Sequence, residues 1–190
     1  MSENDVKIYI GKKETLKSSY DIANTFDAVV SNRANGNIDK AKKLGAALAN
    51  ISPLGDGELS LNLKEHVAQK FLTADMLYKI KVLIVFACET LLQIEIPVSV
   101  LTTTAITSMY DEIEKQSPQL YSNISSGAAF SFYYLAFQKG GDVCENVAEA
   151  FAMLCEVKNK DGFVSVGKII WNRAVEVIEQ QLVKADFKDI

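Results

Sequence analysis

The sequence predicts an all-α bundle, and three observations carry that reading. Ten Gly and three Pro in 190 residues are too few for the many tight turns of an all-β fold. Apolar residues recur at spacings of three and four, as in Leu16, Tyr20, Ala23, Phe26 and Val30. Between such runs stand helix-stop and helix-start signals, Asn35-Gly36 and Gly140-Gly141-Asp142 among them. The length suits one domain, residues 1–190, able to bury a core without metal or disulfide support.

Residues 1–12 read as a charged, loosely ordered arm around a short alternating piece, VKIYI. A first helix is expected over about 14–34 and a second over 38–51, the latter poor in large apolar groups and so at an edge. SPLGDGELS, 52–60, is the clearest loop. Helices are then expected over 61–71 and 74–92, or a single helix with a break near Thr73. Val82, Leu83, Val85 and Phe86 leave almost no polar face between Lys81 and Glu89, which places the second of these at the centre. Pro97 suits the first position of the next helix, which runs to about 116 and is stopped by Ser117-Pro118. Its run Thr102-Thr103-Thr104 is an unusual choice there, because β-branched side chains favour strands. The remaining region, 126–186, reads as a three-helix unit of 126–138, 142–156 and 163–186, with the aromatic-rich helix central. The total is about seven to eight helices joined by short connections.

FSFYYLAFQ, at the heart of that unit, is the most aromatic stretch. On a helix Phe130, Tyr133, Tyr134 and Phe137 share an arc of about 100°. Phe132, Leu135 and the alanines cover most of the rest, and only Ser131 and Gln138 mark a polar strip. A helix apolar nearly all round is expected to be buried. The competing reading is an aromatic-lined pocket for a flat or apolar ligand, touched by Tyr133 and Tyr134.

Asp142 is a good N-cap, with Glu145 completing a capping box. Cys144 therefore lies in a first helical turn, where the helix dipole favours a reactive thiolate. Asp142 and Glu145 oppose that charge, and Cys144 shares the apolar arc of Val143, Val147, Ala150, Phe151 and Leu154. Cys155 points the same way about 16 Å further along the axis. A disulfide needs Cα atoms within about 7 Å, so the two do not bridge. With Cys88 alone in another apolar helix, the three read as reduced core thiols.

Other chemistry finds little support. His66 is the only histidine, so neither a di-iron nor an HExxH zinc site can be assembled. Gly55 and Gly57 lack the third glycine of GxGxxG, since Ser60 stands there, and no P-loop lysine follows. KAKKLGAALANIS resembles the first half of a helix-turn-helix, but Pro53 and two glycines spoil the recognition helix. The net charge of −4 argues against a nucleic-acid surface. Glu145, Glu149 and Glu156 share one face, which reads as a solvated side rather than a cation site.

The last helix carries the single Trp, with Trp171, Ala174, Ile178, Leu182 and Ala185 on one stripe. Trp171 and Arg173 are residue types favoured at interface hot spots. The most apolar run, IKVLIVFACETLLQIEIPVSVL, is broken by Glu89, Gln93, Glu95 and Pro97, so no membrane span is expected. The first residues lack a basic segment followed by an apolar one, so a cytoplasmic location is expected and two Asn-x-Ser triplets read as coincidences. No catalytic, cofactor or metal residue is assigned. The expectation is a non-enzymatic helical interaction or self-assembly module, its partner another protein or a second copy. The contact residues named for it are Tyr133, Tyr134, Trp171 and Arg173. The alternative is a small-molecule-binding protein with an aromatic-lined pocket, and the third choice a metal-independent enzyme using His66 or Cys144.

Overall fold

Where side chains can take over the free backbone groups at helix ends, the chain breaks into helices. The computed structural model describes residues 19–155 and 160–188. Among these, nine α-helices follow one another: α1 (Ser19–Ala34), α2 (Asn37–Ala49), α3 (Leu63–His66), α4 (Ala74–Glu95), α5 (Ser99–Gln116), α6 (Pro118–Ser126), α7 (Ala128–Gln138), α8 (Val143–Leu154) and α9 (Lys160–Ala185). A 3₁₀ turn, Gln69–Phe71, lies between α3 and α4. The architecture is all-α, as the sequence predicts. The proposed arm 1–12 and the start of the first helix fall outside the described residues. No helix among the described residues is long and apolar enough to cross a membrane.

α4 is the central rod. Every residue from Val82 to Cys88 is buried, because α9, α5, α7 and α8 surround it. Thr73 starts it by accepting a hydrogen bond from the Met76 amide at 3.4 Å. Around it, α2 lies along α5 and α8 lies along α9, the two most extensive helix pairs. Both pairs close over a glycine. A Cβ built on Gly45 would sit 2.1 Å from the Ala105 carbonyl oxygen, and one on Gly167 would sit 2.9 Å from Ala148 Cα. At the first crossing Ser108 Oγ also donates to the Lys42 carbonyl at 2.8 Å. These helices touch backbone to backbone, which only the absence of a side chain permits.

Several boundaries differ from expectation, each for a physical reason. The helix expected over 61–71 shrinks to four residues of α3 plus the 3₁₀ turn. The preceding loop takes its donors: the Leu61 amide donates to Ser52 O at 2.9 Å and the Leu63 amide to Pro53 O at 3.0 Å. Within that loop Ser52 and Ser60 form an isolated parallel bridge. Pro97 precedes α5 by two residues instead of opening it. The threonines stay helical, with Thr102 Oγ1 donating to Ile96 O at 2.8 Å and Thr104 Oγ1 to Val100 O at 2.7 Å. Ser117-Pro118 ends α5 as expected but also starts α6, since Ser117 Oγ accepts from the Leu120 amide at 3.4 Å. The turn expected at 159–162 is helical from Lys160 on.

Gly45→Ala is expected to destabilise the fold by about 2 kcal/mol, overpacking against Ala105 outweighing the helix-propensity gain. Gly167→Ala should cost less, its nearest obstacle being further away. Urea unfolding of both variants checks this. Stabilisation by either, as at an open helix site, would contradict the close crossings.

Candidate functional site

The aromatic helix is built from one anchor outward. Phe86 of α4 is 3% exposed, and its ring meets Phe130 at 5.6 Å, Tyr133 at 5.3 Å, Phe137 at 6.4 Å and Trp171 at 6.3 Å. The Phe130 and Phe137 contacts are edge-on, at 84° and 74°. Such pairs contribute about 0.5–1.5 kcal/mol each beyond area burial. Phe130, Tyr133 and Phe137 span only about 60° of the α7 circumference, so one ring on α4 can hold all three.

That geometry turns the other side of α7 outward. Phe132 is 48% exposed, Leu135 66% and Tyr134 42%. Phe132 and Leu135 lie about 60° apart on the face opposite the arc of Phe130, Tyr133 and Phe137, with Ser131, Gln138 and Lys139 around them. The expectation that this helix is buried nearly all round is therefore corrected. Only Tyr133 of its eleven residues is fully buried. α4 and α8 cover its inner face, and α7 sits at the rim of its three-helix unit rather than at the centre. A composition apolar on all sides does not say on how many sides a neighbour exists.

The structure separates the four contact residues named from sequence. Tyr133 is 1% exposed and Trp171 6%, and the two meet through Phe86. Burial pushes the Tyr133 hydroxyl pKa up, keeping it neutral. Tyr134 flanks the exposed face. Arg173 turns away from Trp171: its Nε donates to the Leu61 carbonyl at 3.3 Å and Nη1 to Glu176 at 2.5 Å. Phe132 and Leu135, now the most exposed apolar pair on α7, were not among the four. The signal that finds them is the polar strip itself. Ser131 and Gln138 mark the outward pole, and Leu135 lies within about 60° of both.

The remaining candidates have local explanations. Asp142 Oδ1 accepts from the Glu145 amide at 3.1 Å, the cap expected from sequence. Gly140 and Gly141, both at φ +78°, make the turn before it, and Asn146 Nδ2 donates to the Gly140 carbonyl at 2.8 Å. All three cysteines are free. Cys144 is partly covered, and its thiol donates to Asn172 Oδ1 at 3.4 Å. Burial first, and then Asp142, raise its pKa, and Lys168 only partly offsets them. Burial also raises Cys88, and it pushes Cys155 from 9.0 to about 11. Of the acidic face, Glu145 pairs with Lys168 and Glu149 with Lys139 at 3.6 Å, whereas Glu156 lies outside the described residues. His66 is exposed, and no group of three or more His, Cys, Asp or Glu among the described residues is placed to hold a metal.

Two surface depressions lie elsewhere. One of about 260 Å³ is lined by Ser52, Pro53, Leu54, Leu77, Tyr78 and Lys81. The other, of about 540 Å³, is lined by Glu58, Glu176, Glu179, Gln180, Val183 and Lys184. Glu58 and Lys184 pair across the second at 2.5 Å. Neither is lined by Tyr133 or Tyr134.

Because its thiol pKa is raised, Cys144 is expected to react with an alkylating reagent at neutral pH more slowly than a free cysteine, and Cys88 and Cys155 only on unfolding. Faster labelling of Cys144 would contradict the geometry. Cys155 stays neutral in the fold, so its contribution to stability is complete below pH 9 and is lost as pH rises towards about 11. Unfolding free energy measured across that window should fall less steeply in Cys155→Ala than in the parent chain.

The chain matches no protein-family model, no curated protein and no solved structure, so its site rests on this geometry.

Proposed function

We propose that the protein is a non-enzymatic helical interaction module that works by self-association through the outer face of α7. The observation supporting this reading is the exposure of Phe132 and Leu135, 48% and 66%, on a helix whose inner face is already filled. Exposed apolar patches ringed by polar residues mark interaction sites more often than scattered single side chains do. Here Ser131, Gln138 and Lys139 supply the polar rim, and Tyr134 adds an amphipathic ring at its flank. Aromatic residues at such positions dominate binding energy in interfaces. A second copy is the natural occupant, since most soluble oligomers are symmetric assemblies of one chain.

The small-molecule reading draws no support from Tyr133 and Tyr134, one packed on Phe86 and the other turned to solvent. An enzymatic reading has only an exposed His66 and a thiol held neutral.

Sedimentation equilibrium over a wide concentration range tests the proposal. The average mass is expected to rise with concentration, and the double variant Phe132→Lys/Leu135→Lys is expected to remain a monomer. Both positions are exposed, so the variant's unfolding free energy should stay within about 0.5 kcal/mol of the parent's. A parent chain that is monomeric throughout, or a double variant that associates equally, would overturn the reading.

A further inference from the structure

Asn37, at the start of α2 and 0% exposed, is a fully buried polar side chain. Its amide holds two separate parts of the chain. Asn37 Nδ2 donates to Asn32 Oδ1 at 2.9 Å, and Asn32 Nδ2 in turn donates to the Ala28 carbonyl at 2.9 Å. The same Nδ2 also donates to the Lys188 carbonyl at 2.7 Å, and the Lys188 amide donates to Asn37 Oδ1 at 2.9 Å. One side-chain amide thus takes both backbone groups of one residue, the pairing a neighbouring β-strand would offer. Backbone bonds of this kind grip a segment whatever its side chains are.

The segment gripped is the stretch after α9. Asp186 leaves the helix at φ +47°, an uncommon conformation for a residue with a side chain. Phe187 is partly buried against the core. Lys40 Nζ donates to the Asp186 carbonyl and lies 3.4 Å from its carboxylate, an exposed pair that adds little. Lys188 is exposed, so its side chain is free to vary while its backbone is held.

We propose that Asn37 is a backbone reader and that residues 186–188 form a detachable strap, which closes the α1–α2 hairpin onto α9. The strap crosses from the last helix to α2, yet it is fastened there by one buried amide and the Lys40 ammonium, which meets the Asp186 carbonyl and carboxylate, with one partly buried ring beside them. Its release leaves the Asn37 amide without two partners, in a site already shaped for the backbone of Lys188. The same segment supplied from a separate molecule will therefore occupy it.

The test uses the full chain. Lys188→Pro removes the N–H that Asn37 accepts, whereas Lys188→Ala removes only the side chain. Hydrogen exchange of amides in α1 and α2 is expected to speed up about tenfold in Lys188→Pro, to stay unchanged in Lys188→Ala, and to stay unchanged in α8 for both. A capped peptide of residues 183–188 added to Lys188→Pro should restore the protection. The same peptide N-methylated at Lys188 should not. Unchanged exchange in Lys188→Pro would overturn the proposal. An equal effect of Lys188→Ala, or no discrimination between the two peptides, would overturn it as well.

Discussion

Phe86 is the contact on which the orientation of α7 depends. It stands mid-way along α4 in a run where every side chain is buried, and four aromatic rings converge on it. Three of them come from α7 and one, Trp171, from α9. The ring fixes the rotation of α7 about its own axis, because Phe130, Tyr133 and Phe137 can reach it only from one face. Everything on the opposite face is then committed to solvent. The exposure of Phe132 and Leu135 is a consequence of this anchoring and not a separate feature.

A second constraint frames the first. α2 on α5 and α8 on α9 approach so closely that Gly45 and Gly167 have no room for a methyl group. Backbone-close pairs are rigid, since neither helix can rotate without driving a side chain into the other. α8, set by Gly167 against Ala148, is also the second wall against which α7 rests. The apolar outer face is therefore displayed from a fixed platform. A rigid display keeps the ordering cost of association low.

Much of this was legible in the sequence, and the failures have physical causes. The all-α class, the central rod 82–88 and the Asp142 cap followed from periodicity and capping chemistry, which are local. α3 is shorter than its pattern predicts because that pattern competes with hydrogen bonds to Ser52 and Pro53, a choice made by the loop. α6 goes unpredicted because Ser117-Pro118 ends one helix and starts another with the same two residues. The burial predicted for the whole of the aromatic helix fails for a different reason. Burial of an apolar face needs a neighbour, and how many neighbours α7 has is decided by packing. The polar strip of Ser131 and Gln138 already carried the direction of solvent. Nothing in the local pattern announced that Asn37 would meet Lys188, 151 positions away.

The central claim is that Phe86 divides α7 into a filled inner face and a displayed outer one. Hydroxyl-radical footprinting of dilute protein, read residue by residue along α7, tests it most directly. The account predicts rapid oxidation of Phe132, Tyr134 and Leu135 together with protection of Tyr133 and lesser oxidation of Phe130 and Phe137. Comparable oxidation of both faces, or protection of Phe132 and Leu135 in the dilute monomer, would contradict it.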